Sequence, residues 1–364
     1  MNNRRPTPTD LHGVVTFMPD ATRGVVRGLT SEQLHATGTS HIVVNTLHML
    51  ISPGADTVAQ LGGVHKFMNW PGLILSDSGG FQVFSLLHTK KWEGKIHHDG
   101  ATFKSPRDGT TYELTPEKSI DIQMKLGTDI LVVLDDCRKA ETSREEAEVS
   151  VKNTIQWAER CKAHYLKYPS SERKGKFLTS VVQGANFNDL REKCANALVD
   201  IGFDGYNFGG YVLDDSGELV VEQLKCVVEN TPKGTLKYAM GVGKPEDILA
   251  CAKLGYTLFD TVLPTRNARH GTLYSTDTDD GVLRIGNSQY STDTSPIDSK
   301  CNCEACQEHT RAYIHQLLKN NEITGMSLAT IHNLTFFQRY VNAINENISD
   351  LMDISHSDIL RIMN

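Results

Sequence analysis

Short apolar runs alternate with amphipathic segments along most of the chain. LILSD, which ends at Asp77, begins with three apolar residues, and DILVVLDD, which ends at Asp136, has five consecutive apolar residues after Asp129. Such unbroken runs are typical of parallel strands that are covered on both faces. The pattern predicts eight strands, over residues 14–18, 41–45, 73–77, 129–135, 177–183, 204–208, 236–241 and 257–262.

Segments between the predicted strands begin with residues that start helices. Thr115 precedes Pro116, which suits an N-cap followed by proline at the first helical position. Ser143 and Glu146 have the spacing of a capping box, and Pro245 opens a segment with acids in its first turn. The strand–helix alternation predicts an α/β protein with a (β/α)8 TIM barrel. A doubly wound open sheet is the alternative, but no G-x-G-x-x-G motif follows the first strand.

The alternation breaks after the eighth strand, where Ser, Thr, Asp and Gly become frequent. We expect an insertion over residues 274–306, followed by helices over 305–321 and 326–346. The predicted units are a barrel core with the candidate site at 1–273, a metal-binding subdomain with closing helices at 274–346, and a C-terminal tail or helix at 347–364.

Composition indicates a globular protein of the cytoplasm. The chain has 364 residues, of which 39% are hydrophobic and 22% are charged, which is enough apolar material for a sizeable core. No apolar run approaches the ~20 residues that span a bilayer. The N-terminal segment is charged but no apolar stretch follows it, so we do not expect a secretory signal.

The charge pattern leaves room for a local nucleic-acid surface. A net charge of −7 argues against indiscriminate binding of nucleic acids, although an acidic body can carry one basic patch. Residues 88–107 interleave lysine and arginine with Trp92 and histidines. This segment is either a solvated hairpin or a surface that contacts RNA.

A cysteine cluster marks a candidate metal site. Cys301, Cys303 and Cys306 place three thiols within six residues, as in structural zinc sites that have no open position. His309 and His332 are both candidates for the fourth ligand. The other cysteines are dispersed, as in a reduced cytoplasmic protein, at positions 137, 161, 194, 226 and 251.

Polar residues and glycines, with one methionine, fall repeatedly at the ends of the predicted strands, where barrels carry their chemistry. They are Asn45, Asp77, Asp135, Asp136, Gln183, Gly209, Gly210, Met240, Gly241 and Asp260. Each has an alternative explanation, because Asp77 can cap a glycine-rich turn and Gln183 can satisfy backbone groups. Together they favour a site for a flat ligand that forms hydrogen bonds.

Two carboxylates from distant strands suit retaining glycosyl transfer. One acid attacks the anomeric carbon while the other handles the proton of the leaving group. The residues alone do not say which acid takes which role.

Specific motifs connect this pattern to a known family. They are SDSGGFQVFS, VVQG followed by DLR, DIGFDGY followed by GG, MGVGKPEDI, LFD-x-VLPTRNARHG, and C-x-C-x2-C with the later Thr330-x-His332-Asn333. Over residues 16–340 the chain resembles the tRNA-guanine transglycosylases. The resemblance implies a zinc-containing barrel that exchanges the wobble guanine of tRNAs with GUN anticodons for a 7-deazaguanine, for queuosine biosynthesis. It also implies a homodimer, and one structural Zn²⁺ as the only cofactor.

The resemblance assigns roles to individual positions. Asp260 matches the nucleophile that attacks C1′ of the ribose, and Asp77 matches the general acid/base. The positions that match base-binding residues are Asp135, Gln183, Gly210, Tyr211, Phe81 and Met240, the last two as a sandwich around the base. Arg266 and Arg269 match residues that contact the anticodon bases beside the target. The zinc ligands are Cys301, Cys303, Cys306 and His332, which leaves His309 as a surface histidine.

The sequence departs from the family pattern in three places. FMPDAT at residues 17–22 replaces FMPVGT, which affects the expected N-terminal hairpin rather than the chemistry. RKAE at residues 138–141 replaces TPYP, and the loop at 211–218 differs from the bacterial GGLAVGE pattern. Leu213 and Cys137 favour 7-aminomethyl-7-deazaguanine over the bulkier queuine, and acids in the 211–218 loop can meet the amine that both bases carry.

Two other functions remain open at this point. One is a non-catalytic tRNA-binding subunit of such an enzyme, which keeps the zinc site without the acids. The other is a relative that modifies another nucleic acid.

Overall fold

The computed structural model of the protein describes residues 6–88, 92–106, 109–139 and 141–364. Its strands are β1 Thr16–Pro19, β2 His41–Val44, β3 Leu73–Ser76, β4 Glu93–His97, β5 Gly100–Lys104, β6 Thr111–Leu114, β7 Ile130–Val132, β8 Phe177–Val182, β9 Gly205–Phe208, β10 Leu236–Ala239, β11 Leu258–Thr261, β12 Thr272–Tyr274 and β13 Val282–Arg284. Eight of them form a parallel sheet in the order β1-β11-β10-β9-β8-β7-β3-β2.

The two outer strands of this sheet meet and close it into a barrel. Asp20, directly after β1, forms a parallel bridge with Val43 of β2. The backbone N–H of Ala21 donates to the carbonyl of Val43 at 2.7 Å. The predicted (β/α)8 barrel is therefore confirmed, and so are its eight strands, although the strand predicted over 129–135 shortens to Ile130–Val132.

In the described residues, eleven helices connect consecutive barrel strands and five follow the last of these strands. They are α1 Ser31–Ala36, α2 Thr46–Ile51, α3 Ala55–Gln60, α4 Val64–Met68, α5 Gly80–His88, α6 Pro116–Leu126, α7 Arg144–Tyr165, α8 Ser170–Arg173, α9 Asn188–Ile201, α10 Val221–Glu229, α11 Pro245–Leu254, α12 Leu263–Arg269, α13 Glu304–Glu308, α14 Arg311–Lys319, α15 Ile323–Glu346 and α16 His356–Met363. Short 3-10 helices span Pro8–Leu11, Ser288–Thr292 and Ile348–Asp350.

Local sequence explains several helix starts. The Thr115 hydroxyl accepts a hydrogen bond from the backbone N–H of Lys118 at 3.3 Å, and α6 follows. Ser143 and Glu146 form the predicted capping box at the start of α7. Pro245 begins α11 as predicted, but Lys244 before it provides no side-chain cap.

Strand alternation divides the apolar side chains between two cores. Met18, Val43, Leu75, Val132 and Val181 belong to one buried group, which fills the inside of the barrel. Their neighbours along the strands point outward and join the larger group, which packs the sheet against the helices. Because successive side chains of a strand face opposite sides, both faces of this sheet need apolar residues, as the unbroken runs indicate.

The segment after β11 packs around one buried helix. Most of α15 is buried, and the amide of Gln338 donates to the Phe17 carbonyl of β1 at 3.2 Å. The helix predicted over 305–321 is interrupted between α13 and α14. Thr310 causes the break, since its hydroxyl accepts from the backbone N–H of Tyr313 at 3.2 Å and so starts a new helix.

An antiparallel sheet of β4, β5 and β6 is inserted between α5 and α6. The described part of the basic segment 88–107 lies here, and Trp92 packs on Phe103 with 5.5 Å between ring centroids. Lys90, Lys91 and Arg107 lie outside the described residues. Within the described ranges, no helix combines the length and the apolar character needed to cross a membrane.

Candidate functional site

A cavity of about 470 Å³ opens at the carboxyl ends of the barrel strands. This volume lies in the range of small-molecule pockets, and its position is where TIM barrels carry their active sites. Its wall includes residues at or just after the carboxyl ends of seven strands, namely Asp20, Asn45, Asp77, Asp135, Gly210, Met240 and Asp260. The strand-end residues that the sequence indicates therefore converge on this cavity, apart from Asp136, Gln183 and Gly209, which do not line it.

Asp77 is held rigidly at the end of β3. Its Oδ1 accepts hydrogen bonds from the backbone N–H of Thr46 at 2.8 Å and of Gly79 at 3.2 Å. Its Oδ2 accepts from the side-chain amide of Asn45 at 2.6 Å. Asn45 is itself fixed, because its Oδ1 caps α2. These donors aim the Asp77 carboxyl group and leave one edge on the cavity.

Asp260 is the penultimate residue of β11, the last barrel strand, which β1 and β2 separate from β3 and Asp77. Its Oδ1 accepts from the backbone N–H of Gly241 at 2.9 Å. The hydroxyl of buried Tyr238 also hydrogen-bonds to this carboxylate. The side chain of Asp260 is half-buried and lines the cavity.

Burial gives both acids unusual protonation behaviour. Burial raises the pKa of Asp77 to about 7, and the charges of Asp20 and Asp260 raise it further against the hydrogen bonds from Thr46 and Gly79. Burial also raises the pKa of Asp260 to about 6, while the hydrogen bonds from Tyr238 and Gly241 lower it. Two acids in one cavity thus change charge close to neutral pH, which is typical of acid–base sites.

Asp135 and Gln183 form one buried polar pair. The Gln183 amide donates to Oδ2 of Asp135 at 2.7 Å, and the Ser78 hydroxyl donates to Oδ1 at 3.3 Å. Burial raises the pKa of Asp135 to about 6. Gln183 lies directly under Gly209, where a Cβ atom would stand 2.6 Å from Nε2 of Gln183. Only glycine fits there, so the cavity floor can approach the pair closely.

Apolar and aromatic side chains also line the cavity. Phe81 and Tyr211 are 43% and 39% exposed, and their rings meet edge-on at 6.0 Å between centroids. Met240 also lines this cavity, so the structure brings the predicted sandwich residues Phe81 and Met240 into one pocket. Exposed aromatic edges and a thioether suit a flat heterocycle.

The predicted RNA-binding arginines lie on α12, immediately after β11. Arg266 is exposed, and Arg269 is oriented by a hydrogen bond from its Nη1 to the Thr265 carbonyl at 2.7 Å. Burial lowers the pKa of Arg269, and the positive charges of Arg27 and Arg266 lower it further. Arg27 therefore belongs to the same basic cluster. The sequence gives no sign of this, because Arg27 comes from the distant loop before α1.

Arg191 stabilises the loops at the carboxyl ends of β8 and β9, a role that the sequence did not indicate. Its side chain is fully buried and donates to the carbonyls of Ala185 at 2.9 Å, Val182 at 3.1 Å and Gly209 at 3.1 Å. It thereby ties the ends of β8 and β9 together beneath the cavity. The DLR sequence after VVQG was the available signal.

Asp136 is structural rather than part of the cavity. Both of its carboxylate oxygens accept from Arg138 at 2.9 Å, and the Asn153 amide donates to it at 2.8 Å. The RKAE sequence that departs from the family pattern thus provides the partner of a buried acid. Asp20 is the remaining acid on the wall, in a position that the sequence indicated only as a departure from FMPVGT.

Cys301, Cys303, Cys306 and His332 form a separate buried cluster, in which all four ligand atoms lie within 4.8 Å of one another. Nε2 of His332 donates to the Tyr274 carbonyl at 2.6 Å. This leaves Nδ1 facing the sulfurs, at 3.2 Å from Cys306 and 3.7 Å from Cys303. A fixed imidazole and three thiols fit a metal ion. His309 instead packs on Tyr313 and is not part of the cluster.

Comparison with known proteins agrees with this architecture. The family described as queuine tRNA-ribosyltransferase matches residues 8–351. A protein of that name from Pseudoalteromonas atlantica is 41% identical over 334 residues, which cover 92% of this chain and 87% of the relative. One from Psychrobacter sp. is 41% identical over 352 residues, covering 95% and 90%, and one from Hydrogenovibrio crunogenus is 42% identical over 333 residues, covering 92% and 86%. The chain therefore belongs to the queuine tRNA-ribosyltransferase family.

Proposed function

We propose that this protein is a tRNA-guanine transglycosylase, a pentosyltransferase that replaces the wobble guanine of tRNAs with GUN anticodons for queuosine biosynthesis. The observation that carries the proposal is the convergence of Asp77 and Asp260 on one cavity with a polar pair, Asp135 and Gln183, beside them. Membership of the family supports the same activity.

The two acids take complementary roles. The carboxylate of Asp260 attacks C1′ of the ribose, and the C1′–N9 bond to guanine breaks with its electron pair going to the base. Asp77 gives its proton to the departing guanine. The incoming 7-deazaguanine then loses a proton to Asp77, attacks C1′ and releases Asp260. The higher pKa of Asp77, about 7, suits the acid, and the lower pKa of Asp260, about 6, suits the nucleophile.

The rest of the cavity recognises the base. Asp135 accepts donors of the guanine edge and Gln183 orients Asp135, while backbone groups at Gly210 and Tyr211 provide further hydrogen bonds. Phe81 and Met240 cover the faces of the ring. Van der Waals and hydrogen-bonding surfaces of this kind hold an unstacked base that has left the anticodon loop.

The loop at 211–218 favours 7-aminomethyl-7-deazaguanine as the incoming base. Leu213 and Cys137 line the cavity and leave less room for a cyclopentenediol group. Asp214 accepts from the backbone N–H of Ser216 at 2.9 Å and of Glu218 at 3.1 Å. Because Asp214 already accepts hydrogen bonds within its own turn, it is a weaker candidate to bind the amine of the incoming base.

The basic cluster of Arg27, Arg266 and Arg269 is our proposed contact for the anticodon loop. Guanidinium groups bind phosphates and base edges through several donors at once. Arg266 and Arg269 lie on α12, which begins at Leu263, soon after Asp260 in the chain. RNA bound to the cluster would therefore reach the cavity. The homodimer that the family resemblance implies stays a prediction.

The alternative of a non-catalytic subunit fits the site poorly. Such a subunit has no need for two oriented acids, whereas Asp77 and Asp260 are each held by backbone N–H donors. A relative that acts on another nucleic acid is distinguished by competition between tRNA and DNA in one exchange assay.

We further propose that the metal is Zn²⁺ and that its role is structural. The four ligands leave no open position for substrate, and the cluster is buried. The ion would hold the loop at 301–306 against α15.

Asp260→Asn should abolish transfer, because an amide cannot replace the attacking carboxylate. We expect guanine exchange into a GUN-anticodon tRNA to fall about 10⁴-fold or more. Denaturing gel analysis should show a covalent RNA adduct for the native enzyme and none for the variant. Asp353→Asn, which changes an exposed acid, serves as the control. Full exchange activity in Asp260→Asn would refute the assigned nucleophile.

The pH dependence should follow the two acids. We expect kcat/KM to rise through about pH 6, as Asp260 loses its proton, and to fall above about pH 7, as Asp77 loses the proton it must donate. The two limbs belong to the interacting pair rather than to either residue alone. Measured tRNA affinity over the same range separates binding from chemistry. A flat profile from pH 5 to 9 would contradict this assignment.

Arg266→Ala should weaken tRNA use without disturbing the fold. Loss of a charge-assisted hydrogen bond, worth roughly 1.5 kcal/mol, should raise KM for tRNA about tenfold. Lys174→Ala removes one positive charge before β8, at the opposite end of the barrel, and should leave KM unchanged. Equal KM values for the two variants would remove Arg266 from the RNA contact.

Cys303→Ala should release the metal. We expect elemental analysis to find about one zinc ion per native chain and almost none in the variant, together with a lower Tm, since metal binding contributes to folding. Cys226→Ala alters a buried thiol outside the cluster and should keep its zinc. Zinc retained in Cys303→Ala would overturn the ligand assignment.

A further inference from the structure

Asp20 is a fourth acid in the cavity, beside Asp77, Asp135 and Asp260, and the proposed chemistry does not use it. It follows β1 and lines the same wall as Asp77 and Asp260. It also stands where the FMPVGT pattern of the family has valine, so the usual residue at this position offers no polar group. An acid that replaces an apolar residue in a reacting cavity needs an explanation.

The immediate surroundings leave Asp20 with unused hydrogen-bonding capacity. The Thr22 hydroxyl donates to the carboxylate at 2.6 Å, and the Thr22 backbone N–H also donates. Among the residues that the structure describes, no lysine or arginine forms an ion pair with it. A carboxylate has about four acceptor positions, and burial without partners is costly. Burial indeed raises the pKa of Asp20.

The order of the strands places Asp20 between the two proposed catalytic acids. Around the barrel the sequence of strands is β11, β1, β2 and β3, so Asp20 lies on the arc between Asp260 and Asp77. In the strand register Met18 stands opposite Asp260, and Asp20 is bridged to Val43 of β2.

Most of the groups proposed to hold the base come from the other arc, and Phe81, on α5 directly after β3, stands at its edge. Asp135, Gln183, Gly210 and Met240 follow β7, β8, β9 and β10. With the base over that arc and C1′ within reach of Asp260, the ribose must lie over β11, β1 and β2. Asp20 therefore faces the sugar rather than the base.

We propose that Asp20 accepts a hydrogen bond from the 2′-hydroxyl of the target nucleotide and so selects ribose over deoxyribose. The inference rests on the proposed transglycosylase activity. The 2′-hydroxyl is attached to the carbon next to C1′, so a group that lines the wall between the two catalytic acids is well placed to meet it. Contacts to this hydroxyl strengthen in the transition states of glycosyl transfer, and the 2′-hydroxyl is what distinguishes RNA from DNA.

The test uses two anticodon-loop hairpins that differ only in the sugar of the target guanosine, one ribose and one 2′-deoxyribose. The native enzyme should exchange guanine in the ribose hairpin about 100-fold more efficiently, because a site built around a hydroxyl rejects its absence. In Asp20→Ala, kcat/KM should fall about tenfold or more on the ribose hairpin and hardly change on the deoxyribose hairpin.

Asp20→Asn keeps the shape of the side chain and one acceptor oxygen. It therefore tests the same contact if Asp20→Ala fails to fold. We expect an intermediate preference for ribose in this variant. Asp20→Val, which restores the residue of the family pattern, should behave like Asp20→Ala. Equal losses on both hairpins would show that Asp20 merely shapes the site, and an unchanged preference in both variants would also overturn the proposal. Absence of exchange by the native enzyme on the ribose hairpin and on tRNA would instead refute the proposed function.

Discussion

Closure of the parallel barrel is the constraint on which the rest of the structure depends. The bridge between Asp20 and Val43, with the N–H of Ala21 on the Val43 carbonyl at 2.7 Å, joins the first and second strands and removes both open edges. Because all eight strands are parallel, their carboxyl ends then surround one opening. Asp77 and Asp260 lie far apart in the chain. Closure nevertheless brings them to the same rim, because Asp260 is on β11, next to β1, and Asp77 follows β3, which is two strands from β1 on the other side.

Several acids lie together at that rim in a poorly solvated space, and hydrogen bonds limit how far burial raises their pKa values. Burial raises the pKa of Asp77 to about 7 and that of Asp260 to about 6. Backbone donors from Thr46 and Gly241 oppose this rise and hold each carboxyl group in place. The balance leaves a proton on one acid and a charge on the other near neutral pH, which is the state that acid-assisted nucleophilic displacement requires.

The metal cluster and the proposed RNA contact are connected through α15. His332 donates to the Tyr274 carbonyl, and the adjacent Asn333 accepts from the Tyr274 N–H at 3.1 Å. The Asn333 amide also donates to the Pro264 carbonyl at 3.0 Å, at the start of α12. A metal ion bound at the cluster would therefore stiffen the segment that carries Arg266, although it lies outside the catalytic cavity.

Local patterns in the sequence were sufficient to predict the eight-stranded barrel, the three clustered cysteines and the residues at the strand ends, because apolar periodicity, cysteine spacing and chain order are local properties. They did not reveal that Asp20 lines the same cavity as Asp77 and Asp260 or that Arg27 joins the α12 arginines, since only barrel closure brings β1 and its loop beside β11 and α12. To choose His332 over His309 as the fourth metal ligand likewise required either the family resemblance or the packing of α15. Protonation states depended on tertiary structure most of all, because burial acts on a carboxyl group only after the whole cavity has formed.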